Sequence, residues 1–282
     1  MRSNVSVLLA VGTILLSGNT TLAEPTETET VVEESGIAFR GEGFLGFSVI
    51  DEAANSSALE DSSSEAFIGG GSASMAVSLG GFFGQLDAFG SDLSFDEDRL
   101  AVHGGGGHFG WRDIERGTLG VGGSYNEVEL ENLHSWRAAL EGELFLDRFT
   151  VGGSGGVFSS ENADSDNADR TDIYLQATAA FYPAPDTRFH FSAGGHGIET
   201  NNAVAILGAG LELMANAEVS PISVFLRWEG AFGESSDFDT SFNSMMFGMR
   251  VYWGAEAPSL MAYDRGYFKD SCIGVLVDGR LC

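Results

Sequence analysis

The clearest pattern in this chain is an alternation of apolar and polar side chains that recurs about twelve times between residues 37 and 254. Alternation with a period of two is typical of strands whose two faces meet different surroundings. Residues 222–232 show the two faces: Ile222, Val224, Leu226, Trp228 and Phe232 on one, and Ser223, Phe225, Arg227, Glu229 and Ala231 on the other. An apolar face toward lipid and a mixed face toward a lumen together indicate a transmembrane β-barrel.

The lengths of the connections support the same architecture. The predicted strands are 37–50, 67–79, 81–90, 99–111, 117–128, 132–146, 148–158, 171–182, 187–197, 202–215, 220–233 and 241–254. Short connections near 79–80, 113–117, 147, 183–186 and 216–220 take turns with longer ones at 51–66, 91–98, 159–170 and 234–240, apart from two shorter ones at 129–131 and 198–201. Short periplasmic turns and longer outer loops are the rule in outer-membrane barrels. We therefore predict an all-β fold: a closed, antiparallel, up-and-down barrel of about twelve strands.

The chain divides into four predicted regions. Arg2 precedes an apolar stretch from Val5 to Leu16 and small residues around Ala23, which predicts a cleaved signal peptide over 1–23 and export to the bacterial outer membrane. Residues 24–36 are rich in Thr and Glu and predict a flexible leader. The barrel is expected over 37–254, and residues 255–282 are expected to form a periplasmic C-terminal tail.

Charge narrows the set of partners. The chain has 14 Lys and Arg against 41 Asp and Glu, a formal net charge of −27, which argues against a nucleic-acid partner. Acidic residues concentrate in the longer connections, so we expect a strongly negative outer surface. The loop 164–169 lacks the central glycine and the closing glutamate of a calcium loop, and the five histidines show no metal-ligand spacing. No cofactor is predicted.

Four stretches resemble the porin-like outer-membrane β-barrel proteins of Gram-negative bacteria: 69–80, 108–113, 140–145 and 179–183. The resemblance covers roughly residues 37–254 and implies the fold and the location, while it leaves the solute open. It implies contact with outer-membrane lipid and lipopolysaccharide, and it is compatible with a homo-oligomer. Gly248, Val251 and Trp253 are spaced like the terminal signal read by the barrel assembly machinery, although further residues follow them.

The face opposite the aliphatic one predicts the residues that line the lumen. They are Arg40, Glu42, Gln85, Asp87, Arg137, Glu141, Glu143, Glu212, Arg227, Glu229 and Arg250, with Tyr174 and Gln176 beside them. In a narrow lumen, arginines and carboxylates either line a small channel or pair across it and block it. The first hypothesis is therefore a porin-like passive channel for small solutes or ions, and the alternative is a plugged structural or adhesive surface barrel.

An enzymatic hypothesis is weaker. His190 and Ser192 lie two apart on one predicted strand face, with His196 on the same face, and such a pair can activate a hydroxyl for lipid hydrolysis. That face is expected to point to the lumen rather than to lipid, and no third, orienting group is identifiable. We therefore predict that the protein is not an enzyme and assign no catalytic residue.

Two further predictions concern aromatic residues and cysteines. The girdle candidates lie near predicted strand ends or within strands, and some of them are expected to form aromatic girdles at the two membrane interfaces: Trp111, Tyr125, Trp136, Phe181, Tyr182, Trp228 and Trp253. Cys272 and Cys282 are the only cysteines, and an exported protein permits a disulfide between them. Free thiols and intermolecular pairing are the alternatives.

Overall fold

The computed structural model describes residues 35–54, 62–95, 99–129, 133–162, 170–196, 204–215, 221–234, 238–254 and 257–269, which form a closed barrel with one short helix. The strands are β1 (Ser35–Ala54), β2 (Ser62–Leu79), β3 (Phe82–Ser94), β4 (Arg99–Asp113), β5 (Gly117–Val128), β6 (Leu133–Leu146), β7 (Phe149–Asn162), β8 (Arg170–Ala184), β9 (Thr187–His196), β10 (Val204–Ala215), β11 (Ile222–Glu234) and β12 (Phe238–Gly254). The helix is α1 (Leu260–Gly266). The predicted signal peptide, most of the leader and both cysteines lie outside the described residues.

Each strand runs antiparallel to the strands before and after it in the chain. The first and last strands close the barrel through a continuous ladder from Ala38↔Gly254 to Ala54↔Phe238. Closure leaves no unpaired sheet edge, which is the condition for a β-structure to stand in hydrocarbon. The predicted fold class, a twelve-stranded antiparallel up-and-down barrel, is confirmed.

Several strands extend further than their apolar pattern. The first strand continues to Ala54 and the second begins at Ser62, in a region rich in acidic residues and serines that the sequence placed in a loop. Asp51, for example, lies opposite both Ser241 and Ser63 in the two neighbouring ladders. Backbone pairing does not require apolar side chains, so the ladder extends beyond the apolar belt. There the outward side chains are no longer apolar, and the alternation in the sequence does not reveal the strand.

The two ends of the barrel differ in their connections. At one end, which we call the short-turn end, β2 and β3 are joined by Gly80 and Gly81 alone. Both glycines have positive φ, 54° and 91°, as in the two-residue turns that suit a hairpin. The same end carries Asp147, the first residue of the first strand, Ser35, and the last residue of the last strand, Gly254. We call the opposite end, where the predicted long loops connect the strands, the loop end.

The outer face of the barrel is apolar. Large apolar side chains such as Leu45, Leu140 and Phe247 point outward and are more than half exposed, at 60%, 70% and 58%. The outward residues also include Trp111, Tyr125, Trp136 and Trp253 from the predicted girdles. Tyr182, another of these candidates, does not belong to a girdle, because the strand alternation turns it inward, where it is 2% exposed.

After the last strand the chain turns back into the barrel. Residues 257–269, which we call the C-terminal segment, contain α1, whose first turn is capped by Ser259 Oγ accepting from Ala262 N at 3.2 Å. Leu260, Tyr263 and Tyr267 of this segment share an apolar cluster with inward residues of four strands. No helix among the described residues is both long and apolar enough to cross a membrane.

Candidate functional site

The structure places all eleven predicted lumen residues on the inner face of the wall. Six of them are almost fully buried: Arg40, Glu42, Gln85, Glu141, Glu212 and Arg250. Tyr174 and Gln176 lie on the same face of β8. The inner wall therefore carries both signs of charge at mid-height, and their contacts form two separate networks.

The first group, which we call the arginine network, follows neighbouring strands around one side of the wall. Arg250 on β12 contacts Glu42 on β1 and Glu212 on β10. Arg188 on β9 reaches the same glutamate, with its Nη2 2.7 Å from Oε2, and Arg227 on β11 lies 3.4 Å from Glu42. These ion pairs run along the wall, so the network lines one side of the lumen rather than crossing it.

Glu212 is the centre of the arginine network. Besides the two arginines, its other oxygen accepts hydrogen bonds from Ser223 Oγ and from Tyr252 Oη, the latter at 3.0 Å. Its side chain is only 3% exposed. A buried carboxylate is tolerated when charged partners and additional hydrogen bonds replace its water, and here four donors do so.

The second group, which we call the histidine network, lies on β3 to β6. His108 Nδ1 is 2.9 Å from Glu141 Oε1, and His108 Nε2 is 3.5 Å from Asp87 Oδ2. His108 stands on β4 and Glu141 on β6, so their contact passes over β5 at Gly122. A Cβ at Gly122 would lie 2.7 Å from the glutamate oxygen and 2.9 Å from the histidine nitrogen. The glycine is therefore what lets the two side chains meet.

Arg137 joins this side of the lumen from β6. Its Nε donates to Ser124 Oγ at 3.0 Å. Its guanidinium lies 5.7 Å from the ring centre of Tyr174, which stands on β8, two strands away on the same inner face. Arg137 also lines a cavity on this side of the lumen, together with His108 and Glu141.

Two adjoining cavities lie between the networks. They share Gln176, Thr178, Arg188 and His190, so we treat them as one polar chamber. Side chains from both networks and from the inner faces of β7 to β9 line it, which gives the chamber hydrogen-bonding groups on every side.

Toward the loop end, side chains of β1, β2, β3, β11 and β12 form an apolar layer along one side of the lumen. This apolar layer consists of Phe44, Ala66, Ile68, Leu93, Phe225, Ala231, Phe242 and Met246. Ile68, Leu93 and Met246 have no exposed surface and Phe242 is 1% exposed. The layer packs like the interior of a soluble protein, even though it lies inside a barrel whose outer face is also apolar.

Toward the short-turn end the chamber is closed by the C-terminal segment. Asp264 accepts hydrogen bonds from Arg188 Nη1 at 3.1 Å and from Tyr182 Oη at 2.9 Å. Lys269 is held by its backbone, which donates to Gln85 Oε1 at 2.7 Å and accepts from Gln85 Nε2 at 3.0 Å. Polar contacts therefore fix the segment to both sides of the wall.

Aromatic contacts accompany these polar ones. Tyr263 stacks on Tyr252 of β12 with ring centres 4.7 Å apart. Phe268 meets the edge of the same ring at 5.9 Å and lies under the guanidinium of Arg40 at 4.8 Å. All three rings are almost fully buried, with Tyr252 1%, Tyr263 3% and Phe268 2% exposed.

The residues of the enzymatic hypothesis lie on the inner wall. His190 and Ser192 both line the chamber from β9, and His196 follows on the same face near the loop end. They face the lumen, away from the lipid side, as the alternation predicted. Across the described ranges no group of three or more His, Cys, Asp or Glu residues is placed to hold a metal ion.

Some residues of the site carry little signal in the sequence. His108 was visible only as one of two histidines flanking a run of glycines, and its partners stand on other strands. Asp264 and Lys269 lie beyond the last strand, where no period of two or 3.6 continues. The one available sign was that Lys269 is the only lysine in the chain.

Comparison with known proteins shows similarity of fold only. No protein-family model matches the chain, and no curated protein matches it. Among solved structures, it is similar to the TodX deltaS2S3 mutant monoaromatic hydrocarbon channel at 10% identity and a TM-score of 0.42, over 77% of this chain and 90% of that one. It is also similar to the translocator domain of autotransporter NalP from Neisseria meningitidis at 9% identity and a TM-score of 0.44, over 77% and 88%. The KdgM porin in complex with disordered oligogalacturonate gives 8% identity and a TM-score of 0.42, over 73% and 98%.

Proposed function

We propose that this protein is a porin-like passive channel for small polar solutes in the bacterial outer membrane. The observation that carries the proposal is the polar chamber, two adjoining cavities lined by charged and hydrogen-bonding side chains inside a closed barrel whose outer face is apolar. The polar groups of such a chamber can bind a solute in place of the water molecules that hydrate it. Barrel interiors admit small polar molecules in this way.

The composition of the inner wall favours a water-filled channel over a packed structural interior. Most of the basic side chains in this strongly acidic chain point inward, where carboxylates accompany them: Arg40, Arg112, Arg137, Arg188, Arg227, Arg250, Arg265 and Lys269. Buried ion pairs are seldom more stable than apolar side chains of similar volume. A purely structural barrel would gain by packing its middle with apolar side chains like those of the apolar layer, so the charged middle section needs another explanation, and solute passage supplies one.

The competing function is a plugged structural or adhesive barrel. It draws support from the apolar layer and the C-terminal segment, which occupy parts of the lumen toward its two ends. The two functions predict different behaviour in a membrane. A channel passes current in discrete steps and admits small solutes, whereas a plugged barrel does neither.

The experiment uses the purified full chain in planar bilayers and in vesicles. We expect discrete conductance steps, and faster vesicle swelling in arabinose than in the larger raffinose. Thr178→Trp should reduce both signals by at least about half, because Thr178 lines both halves of the chamber and the indole would occupy it. Ala177→Trp is the matched control, since it adds the same group on the neighbouring, outward position.

The result that would overturn the proposal is the absence of conductance steps from the full chain and from every variant that still folds. Folding is checked by sheet content and by the shift in gel mobility on heating. The location is tested separately by cell fractionation. Recovery of the folded protein from cells without detergent would contradict an outer-membrane location, because the apolar outer face would then have to be covered by something other than lipid.

A further inference from the structure

We propose that the inner wall at the short-turn end is a docking surface for the C-terminal segment, and that residues 257–269 act there as a removable gate of the chamber. This inference rests on the proposed channel function. The segment forms the floor of the chamber directly, through Asp264, Arg265, Phe268 and Lys269. Its departure would open the chamber to the short-turn end.

The wall is complete without the segment. All strands pair with both neighbours, and the ladder between β1 and β12 closes the barrel with strand residues alone. The segment lies inside this ring and adds no strand to it. Its removal therefore breaks none of the backbone hydrogen bonds between strands, which hold a barrel together in lipid.

The groups that hold the segment also have partners within the wall. Arg188 contacts Asp264 and also Glu212. Gln85 contacts the backbone of Lys269 and also donates to Asp87 at 2.9 Å.

The same holds for the contacts near them. Glu143 lies 3.8 Å from Lys269 Nζ and accepts from Thr118 Oγ1 at 3.1 Å. Tyr252 stacks on the segment and donates to Glu212. Buried polar groups left without a partner are costly, so a wall that keeps its partners in both states lowers the cost of undocking.

The segment contacts the wall at few described points near its start. Gly254 ends the last strand with φ of +98°, a conformation that favours glycine, and the segment begins at residue 257 inside the barrel. The first residues of the segment rest on the turn between β8 and β9: Met261 N donates to Pro185 O at 3.0 Å, and Leu260 N donates to Asp186 Oδ1 at 3.2 Å. Asp264 Oδ2 then contacts the wall at mid-segment.

Asp264→Asn in the full chain is the first test. The variant keeps the shape of the side chain but removes the charge that pairs with Arg188, so the fraction of time in the open state should rise about tenfold, as expected for weakening one charge-assisted hydrogen bond. Glu115→Gln is the control, because it removes an exposed carboxylate from the turn between β4 and β5 at the same end of the barrel. That variant should conduct as the unaltered protein does.

A second measurement reads the opening itself. Thr178→Cys places a thiol in the chamber, and a membrane-impermeant thiol reagent is added to each side of the bilayer in turn, with modification of residue 178 read by mass spectrometry. We expect Asp264→Asn to speed this modification about tenfold from one side only. Equal rates with and without Asp264→Asn, together with equal conductance, would overturn the gate while leaving the channel in place. Absence of conductance from all variants would instead overturn the channel.

Discussion

The two ends of the lumen are packed in different ways. At the loop end, side chains of the strands themselves, such as Ile68, Leu93 and Phe242, pack along one side of the lumen and are at most 1% exposed. At the short-turn end, a separate segment closes the lumen, and it meets the wall through side chains that also bond within the wall. The loop-end layer is therefore part of the fold, whereas the short-turn closure is a contact between the fold and a piece that can leave it.

This difference has an energetic meaning. Removing atoms from the apolar layer lowers the stability of the folded wall, since the strands must stay folded around the cavity that is left. Loss of contacts in the segment instead favours its local undocking while the wall remains folded. Stability measurements and opening measurements should accordingly respond to different residues.

Phe242→Ala should give the largest change in stability. The ring is 1% exposed and lies in the centre of the apolar layer, so its removal should lower the free energy of unfolding by about 3–5 kcal/mol. Urea unfolding in lipid vesicles, followed by tryptophan fluorescence, measures it. Phe247→Ala is the control on the same strand, because that ring points outward and leaves lipid rather than a cavity behind. An unchanged unfolding midpoint for Phe242→Ala would show that the loop end is not a packed part of the fold.

Glu212→Gln should come second, at about 3 kcal/mol. The substitution leaves Arg188 and Arg250 facing a neutral amide in a buried position, and breaking a buried pair costs stability because the remaining charge is uncompensated. Glu229→Gln is the matched control, since its carboxylate lines the chamber, is 17% exposed and contacts Arg227. A loss for Glu229→Gln as large as that for Glu212→Gln would mean that the two positions are equally buried in solution.

The strands and the two faces of the wall could be predicted from the sequence because they depend on a local property. Side chains alternate sides along a strand, so a residue such as Arg227 could be assigned to the inner face without knowing its neighbours. Strand ends could not be placed as well. Beyond the apolar belt, residues such as Asp51 stay paired although their side chains no longer alternate in polarity.

The contacts inside the lumen could not be predicted, because they depend on the register between strands. They also depend on whether a glycine on an intervening strand leaves room for two side chains to meet. His108 reaches Glu141 only since Gly122 stands on the strand between them. The return of the chain after Gly254 is also invisible in the pattern. Helix α1 is 7 residues long, about two turns, which is too short for a helical period to stand out.

Of these three variants, Tyr267→Ala should have the smallest effect on the stability of the barrel and the largest effect on channel opening. Tyr267 has no exposed surface and packs in the cluster that joins the segment to the wall, so its removal should raise the open fraction of the channel several-fold. The free energy of unfolding of the barrel should change by less than about 1 kcal/mol, because the segment undocks before the wall unfolds.

Single-channel recording and urea unfolding of the same preparation test both halves of this prediction. Met261→Ala serves as the control, since it truncates a half-buried side chain in the same helix and should open the channel less. If Tyr267→Ala lowered the stability of the barrel as much as Phe242→Ala does, the segment would unfold together with the wall. The two ends of the lumen would then be closed in the same way, and the contrast between a fixed and a removable closure would fail.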